Sequence, residues 1–315
     1  MIPNGSPVPA APTGSPFDLN DAAAYQRWRE TKLTASPTDL SALMVEIGDP
    51  RRLTDAEHGA ILDRCSRANM AVYVGRSVDD PDKSIPALLG ERFGLTRLDH
   101  NRGADEDAIT SLEVQTDSLH AGYIPYTNRP IAWHTDGYYN DPERQIHGLL
   151  LHCVRPAEQG GENALLDHEI VYCLVRDQDP EYIRALMHPE CMTIPANPGP
   201  DTGSDTGADA GGSGAVIRPD QPGPVFSIGP DGHLHMRYTD RTRSIRWRDD
   251  ALTAAAVAFL KSVLHGHSPW HFLGRLESGW GLICNNVLHT RTGFTDGAAP
   301  RLLYRARYYD RISGT

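Results

Sequence analysis

The chain has 315 residues, 39% of them hydrophobic, which is enough to bury a core as one large domain or two small ones. Its net charge of −11 disfavours a nucleic-acid scaffold, because phosphate binding needs a basic surface, and predicts a small molecule as the partner. No run of 18 apolar residues occurs, and the five scattered cysteines show no C-x-x-C spacing. We therefore expect a cytoplasmic protein with no membrane or nucleic-acid partner.

The predicted elements begin after an N-terminal tail. Residues 1–16 are mostly Pro, Ala, Gly and Ser, a composition typical of disorder, and residues 17–315 form the predicted single domain. Thr54 and Glu57 form a predicted capping box that starts a helix, and a strand follows at 71–75. Further helices are predicted at 85–94, 167–176, 179–188 and 249–266.

Short β-rich segments lie between these helices. They are predicted at 146–154, 162–167, 224–229, 233–239, 279–290 and 301–310. Many short strands with flanking helices predict a mainly β fold, a β-sandwich or jelly roll (double-stranded β-helix), and not a repeating βαβ sheet. A Gly- and Asp-rich low-complexity loop at about 196–224 interrupts the strands, and we expect it to be flexible and near the pocket entrance.

The stretch IAWHTDGYYN, residues 131–140, places His134 and Asp136 two positions apart behind a run of β-formers. On a strand, alternate side chains point to the same face, so this imidazole and carboxylate are able to bind one ion. They supply two of the three ligands of a 2-His-1-carboxylate facial triad, which binds Fe(II) and leaves coordination positions open. The pair alone is weak evidence, and a third ligand is required.

The third ligand is predicted near the C-terminal end. The segment GLICNNVLHTRTGF has the pattern of one buried strand ending in His289, and RLLYRARYYD begins a further strand with Arg301, twelve residues later. The order of these motifs, together with CVRPAEQGGENALLD between them, resembles the TauD/TfdA-like family of Fe(II)- and 2-oxoglutarate-dependent dioxygenases, which have the clavaminate synthase-like fold. The resemblance covers roughly residues 113–310.

The resemblance implies that His134, Asp136 and His289 are the catalytic iron ligands. It also implies that Arg301 binds the distal carboxylate of 2-oxoglutarate, a role suited to a guanidinium because its charge is fixed and it pairs with both oxygens. Many family members have a threonine where this chain has Asn163, and its hydroxyl contacts 2-oxoglutarate. An amide is also a hydrogen-bond donor, so Asn163 is the predicted second contact.

Four residues are candidates for binding the primary substrate. Arg305 lies four positions after Arg301, on the same strand face, where the family often binds an anionic substrate group; a structural ion pair is the open alternative. Tyr138, beside the metal pair, either lines the pocket or packs the sandwich, as do Trp133 and Tyr139. The remaining candidates, from the segment HLHMRYTDR, are His235 and Arg237.

The implied activity is oxidation, usually hydroxylation, of a small anionic organic substrate, while O₂ converts 2-oxoglutarate to succinate and CO₂. A catalytically silent jelly-roll protein that binds metal and ligand is the alternative, and succinate formation distinguishes the two. Family members are often dimeric or tetrameric, so a homo-oligomer is expected. The sequence does not identify the substrate.

Overall fold

Helices and strands alternate along the chain in the computed structural model, which describes residues 14–100, 107–115, 124–197, 218–241 and 245–315. The six α-helices of these ranges are α1 (Ala22–Ala35), α2 (Asp55–Ala68), α3 (Ser84–Arg92), α4 (His168–Gln178), α5 (Pro180–Leu186) and α6 (Ala251–His265). No helix of the described ranges is both long enough and apolar enough to cross a membrane.

The strands are short and fall into two main sheets. In chain order they are β1 (Met44–Glu46), β2 (Met70–Val74), β3 (Thr110–Leu112), β4 (Ile131–His134), β5 (Gly148–Arg155), β6 (Gln159–Gly160), β7 (Asn163–Leu166), β8 (Met192–Thr193), β9 (Phe226–Ile228), β10 (Leu234–Met236), β11 (Arg246–Trp247), β12 (Phe272–Gly274), β13 (Trp280–Cys284), β14 (Leu288–Arg291), β15 (Phe294–Thr295) and β16 (Leu302–Tyr308). A six-stranded sheet has the order β1-β2-β13-β5-β16-β3, and a four-stranded sheet has the order β12-β7-β14-β4.

The two sheets pack face to face around one apolar cluster. Leu151 and Leu303 from the large sheet share this cluster with Leu165 and Phe272 from the small sheet. The other face of the large sheet is covered by α2 and α3, and α4, α5 and α6 pack together beside the small sheet. Strands buried on both faces read as continuous apolar runs, which explains the sequence GLLLHCV in β5. This is the predicted jelly roll with flanking helices.

Local sequence signals explain where the helices begin. The side chain of Thr54 accepts a hydrogen bond from the backbone of Glu57 and the Glu57 side chain bonds back, so the predicted capping box is confirmed. Asp167 and Asp179 cap α4 and α5 as expected. Helix α1 was not predicted from the sequence, because its polar residues leave no apolar periodicity to detect.

The prediction of one strand across 279–290 is wrong. Asn286 has φ +49°, a left-handed backbone conformation that a strand does not accommodate. The chain therefore leaves the large sheet after β13, turns at Asn285, Asn286 and Val287, and enters the small sheet as β14. His289 is consequently the second residue of a new strand, and not the end of the first.

Parts of two predicted disordered segments lie outside the described residues: 1–13 of the N-terminal tail and 198–217 of the loop at 196–224. The two ends of that loop are described. They form isolated antiparallel bridges, Ile194 with Gln221 and Asn197 with Arg218. The described residues on either side of 198–217, Asn197 and Arg218, are therefore adjacent.

Candidate metal centre

Strands β4 and β14 bring the three predicted ligands together. His289 is the register partner of His134, so the two imidazoles lie side by side with ring centroids 4.2 Å apart. Strand β4 ends at His134, and Asp136 belongs to the turn that follows, which corrects the expectation that both lie on one strand. The turn still brings Asp136 Oδ1 to 3.6 Å from His134 Nε2. One ligand atom from each of the three residues lies within 4.8 Å of the others.

Both imidazoles are oriented by the same backbone contact. His134 Nδ1 lies 2.9 Å from the carbonyl oxygen of Ala132, and His289 Nδ1 lies 3.0 Å from that of Val287. A proton on Nδ1 donates to the carbonyl and leaves the lone pair of Nε2 for a metal, as is usual for histidine ligands.

Asn286 fixes the turn that carries Asp136. Its side-chain oxygen accepts a hydrogen bond from Asp136 N at 2.8 Å, and its amide donates to Asp136 O at 2.9 Å and Ile146 O at 2.7 Å. The same turn needs Gly137, which has φ +68°, and a Cβ there would lie 2.4 Å from Ile146. The break between β13 and β14 therefore positions the candidate carboxylate ligand, Asp136.

The electrostatics of the cluster suit a cation. Burial raises the pKa of Asp136, but the Arg305 guanidinium and the hydrogen bond with His134 outweigh it and hold the pKa well below its usual value. Burial lowers the pKa of His289 to about 4, so its imidazole is neutral at pH 7, the form that binds metal. Asp136 Oδ2 is buried and has no hydrogen-bond partner among the described residues. Two imidazoles and one carboxylate fit Fe(II).

Arg305 lies directly beside these ligands. Its Nη1 is 3.4 Å from Asp136 Oδ2, its side chain is 11% exposed, and its buried Nε has no hydrogen-bond partner among the described residues. A guanidinium carries five N–H donors, so Arg305 retains donors for an anion bound next to the metal. Both sequence interpretations, substrate contact and ion pair, are compatible with this position.

Arg301 precedes β16 and is buried at 4% exposure. Its guanidinium lies 5.0 Å from the ring centroid of Phe294, and a Cβ on Gly161 would be 3.6 Å from its Nε. Among the described residues no carboxylate forms a salt bridge with it. A buried cation without a counter-ion is costly, so this site favours a carboxylate from outside the chain.

Asn163, in the same Gly-Gly-acid turn region as Gly161, begins β7. Its Nδ2 donates to Thr290 O at 2.8 Å, and its Oδ1 is buried without a partner among the described residues. It borders a small cavity of about 30 Å³ together with Leu151 and Leu165. One of its two N–H groups is therefore used within the sheet, and the other is left for a ligand.

The remaining candidate substrate residues are less well placed. All three nitrogens of the Arg237 guanidinium donate to backbone carbonyls, those of Tyr138, Met192 and Gln221, which ties these segments together. His235 is buried and packs against His147 with ring centroids 4.6 Å apart. These contacts favour structural roles for both residues.

Of the three aromatics near the metal pair, Trp133 packs in the core between the small sheet and the helices. Tyr138 and Tyr139 are half-buried beside that core, in a T-shaped contact with ring centroids 5.2 Å apart. Only these two tyrosines therefore remain as pocket candidates.

Sequence reasoning missed two residues around the centre. Asn286 carries no motif of its own, since a turn inside an apolar run is visible only as the pair NN. Arg307 lies two residues after Arg305, so strand periodicity places it on the same face. It is 2% exposed and donates to Tyr139 Oη at 2.8 Å and to Asp99, which also accepts from Tyr309 Oη at 2.5 Å.

Comparison with known proteins is consistent with this centre. A protein-family model described as "Taurine catabolism dioxygenase TauD, TfdA family" matches residues 74–307. A uridine-5'-phosphate dioxygenase from Amycolatopsis sp is 27% identical over 290 residues, which cover 85% of this chain and 97% of that protein. Another from Streptomyces sp is 32% identical over 217 residues, 65% of this chain and 70% of that protein.

Among solved structures, the non-heme iron oxygenase OrfP, in complex with Fe, has a TM-score of 0.55 with this chain. It is 15% identical, and the match covers 96% of this chain and 94% of that one. At this identity the likeness concerns the fold, and it confirms the mainly β architecture.

Proposed function

Because the chain belongs to the TauD/TfdA family of dioxygenases, it is an Fe(II)- and 2-oxoglutarate-dependent oxygenase, and we propose that it oxidises a small anionic organic substrate. The observation that supports the anionic charge is Arg305, a largely buried guanidinium 3.4 Å from Asp136 Oδ2 that still has an unused Nε. Two relatives are named uridine-5'-phosphate dioxygenase. Phosphate monoesters are therefore the first class of compounds to test, beginning with uridine 5'-phosphate.

Iron and 2-oxoglutarate, when bound, supply the oxidising power: O₂ converts 2-oxoglutarate to succinate and CO₂, and one oxygen atom oxidises the substrate. In the proposed assignment His134, Asp136 and His289 hold the metal through Nε2, a carboxylate oxygen and Nε2. Arg301 pairs with the distal carboxylate of 2-oxoglutarate, and Asn163 donates to the same molecule. The assignment gives the buried Arg301 guanidinium, which forms no salt bridge among the described residues, a carboxylate partner.

Arg305 then binds the anionic group of the substrate, and its fixed charge directs that group to the metal. Tyr138 and Tyr139 line the same side, with Tyr139 held by Arg307. Because an oriented substrate reacts far faster than a free one, the distance from the anion to the oxidised carbon determines which compounds are accepted.

The test is succinate formation under air with Fe(II), 2-oxoglutarate and a matched panel of uridine 5'-phosphate, uridine, and a carboxylate and a sulfonate of similar size. We expect at least one anion to stimulate succinate release, and its uncharged counterpart not to. Equal stimulation by uridine and uridine 5'-phosphate would exclude recognition of the anion. Tight binding of Fe(II) and 2-oxoglutarate without succinate from any compound would instead favour the catalytically silent alternative.

We also expect this oxygenase to work in the cytoplasm. All five cysteines are free and buried, which supports the prediction of a reducing compartment. A homo-oligomer and the absence of nucleic-acid and membrane partners stay predictions.

A further inference from the structure

The loop directly before the metal-binding strand β4 is wrapped around one buried arginine. Arg291, two residues after His289, donates to the carbonyl oxygens of Pro125 at 3.3 Å, Thr127 at 2.5 Å and Arg129 at 2.6 Å. The backbone N–H of Phe294 donates to a fourth carbonyl, that of Asn128, at 3.1 Å. The conformation of residues 124–130 therefore depends on the last residue of β14 and the first residue of β15.

The first residue of β15, Phe294, also contacts the predicted co-substrate site. The Arg291 guanidinium lies 4.9 Å from the ring centroid of Phe294, and the Arg301 guanidinium lies 5.0 Å from the centroid of the same ring. The two charges are thus within about 10 Å of each other, a range over which charges interact even when screened by salt. Both side chains are about 95% buried, and neither forms a salt bridge among the described residues.

Two buried cations this close repel each other, which raises the free energy of keeping both of them charged. Solvent screens this repulsion only weakly because both groups are buried. An anion at Arg301 removes much of that repulsion, so Arg291 is then held among its carbonyl partners at lower cost. Tyr126, at the centre of the loop, packs in the apolar cluster between the sheets, so the loop also faces the interior that contains Leu303 and Cys153.

We propose that Arg291 is a positioning residue that couples the order of residues 124–130 to the binding of a carboxylate at Arg301. This rests on the proposed co-substrate role of Arg301. Coupling of two binding equilibria is reciprocal: if the carboxylate stabilises the ordered loop, the ordered loop strengthens carboxylate binding by the same factor. The loop leads directly into His134, so the coupling links co-substrate binding to the backbone of a metal ligand.

The experiment is hydrogen exchange of the backbone amides of residues 126–129 and of Phe294 in the anaerobic, Fe(II)-loaded protein. It compares 2-oxoglutarate with pyruvate, a keto acid that lacks the distal carboxylate. We expect 2-oxoglutarate to slow exchange in this segment by at least about fivefold, the lower end of usual coupling, and pyruvate to leave it unchanged. If the two keto acids slowed exchange equally, or if neither slowed it, the wild-type protein alone would overturn the proposal.

Arg291→Lys tests the residue itself, since it keeps the charge and loses the planar set of donors. We expect the slowing to disappear and the Kd for 2-oxoglutarate, measured by calorimetry, to rise by the same factor, with the Kd for pyruvate unchanged. The matched control is Arg176→Lys, because Arg176 is also buried and donates to backbone carbonyls, those of Pro16 and Asp18, beside the helices. It should leave loop exchange and both Kd values as in the wild type.

A wild-type response in Arg291→Lys, or an equal loss in both variants, would assign Arg291 a structural role only. Failure of the wild type to bind 2-oxoglutarate would overturn the co-substrate assignment of Arg301 and the coupling with it. If 2-oxoglutarate binds without any change in loop exchange, the coupling alone is overturned.

Discussion

Arg301, just before β16, and Arg305 and Arg307 within it differ in what they contact. Arg301 is buried beside Phe294, Arg305 lies 3.4 Å from the metal-ligand candidate Asp136, and Arg307 pairs with Asp99. Only Arg307, of these three, pairs with a carboxylate outside the ligand group, and that carboxylate is also fixed by Tyr309. The first two arginines are therefore the ones whose substitution should alter kinetics in distinct ways.

Arg301→Leu should raise the KM for 2-oxoglutarate by ~10²-fold or more, because losing a charge-assisted bidentate contact costs roughly 2–4 kcal/mol. Turnover with a keto acid that has no distal carboxylate should change far less. The measurement is the release of succinate from 2-oxoglutarate, or of the corresponding decarboxylated acid from the other keto acid, at varied co-substrate concentration. An unchanged KM for the co-substrate would transfer the anchoring role to another cation, and Arg305 would be the first to test.

Arg305→Leu should leave the KM for 2-oxoglutarate nearly unchanged and reduce the fraction of succinate formation that yields oxidised product. The reason is that a substrate without its anchor no longer lies where the oxidant forms. The ratio of product to succinate, measured in one reaction, reports this directly. If Arg301→Leu and Arg305→Leu showed the same co-substrate defect, the two residues would share a structural role.

At the residue scale, the sequence was sufficient to predict the three candidate metal ligands. His134, Asp136 and His289 were found because three ligand types in that order match a family, and the structure brings them within 4.8 Å. Asn286 and Arg291 were not found, because their partners are backbone atoms 140 to 166 residues away in the chain. Contacts of this kind depend on the fold, and no local pattern predicts them.

At the scale of elements, the break between β13 and β14 moves the chain from one sheet to the other and places His289 opposite His134 in the candidate metal centre. Asn286 makes the break and also holds the Asp136 turn through three hydrogen bonds. The apolar run around Asn286 predicts a single strand. The pattern of apolar residues cannot reveal that one residue within the run has a positive φ. The helices were predicted better, since Thr54, Asp167 and Asp179 are local caps.

Asn286→Ala should weaken Fe(II) binding by roughly 10- to 100-fold, the range found when groups that orient metal ligands are removed. It should also lower the free energy of unfolding by roughly 2–4 kcal/mol, since it leaves buried backbone groups without partners. Anaerobic metal titration and urea unfolding measure the two effects.

The control for this prediction is Asn285→Ala. Asn285 is buried, but its side-chain amide donates to Asn69 and Thr315, away from the ligands. The Asn285→Ala variant should have a lower free energy of unfolding than the wild type and the same affinity for Fe(II). A loss of stability without a loss of metal affinity in Asn286→Ala would show that the turn does not depend on this residue for its metal-binding geometry.

At the scale of the whole molecule, a buried ion cluster ties α1 to the start of α4. Lys32 is 6% exposed, and its Nζ lies 2.6 Å from both Asp167 Oδ2 and Glu169 Oε2. Burial raises the pKa of Glu169, but the charge of Lys32 outweighs it and lowers that pKa to about 2. The interaction joins the N-terminal helix to the layer that covers the small sheet.

Lys32→Met should reduce the free energy of unfolding by ~3–5 kcal/mol at neutral pH, because it leaves the buried Asp167 and the largely buried Glu169 without their counter-ion. In the wild type Glu169 contributes stability above its ordinary pKa of 4.5, and this contribution is lost as the pH falls towards about 2. The variant should lack that loss. Urea unfolding at neutral and acid pH measures both effects, with Lys261→Met as the control because that side chain is 37% exposed. Equal losses in the two variants would contradict the prediction.

The overall architecture was predictable because many short strands and capped helices agree on one fold class. The pairing of β4 with β14 and the position of α1 were not, since both depend on contacts between residues far apart in sequence.

The most direct test of the metal centre is the Fe(II) stoichiometry by anaerobic equilibrium dialysis of the wild type and His289→Ala, with His271→Ala as the histidine control. His271 lies beside Trp133, outside the ligand group. We expect about one Fe(II) per chain for the wild type and the control, and almost none for His289→Ala, because two ligands hold the ion far more weakly than three. Stoichiometric Fe(II) binding by folded His289→Ala would contradict the assignment of the triad.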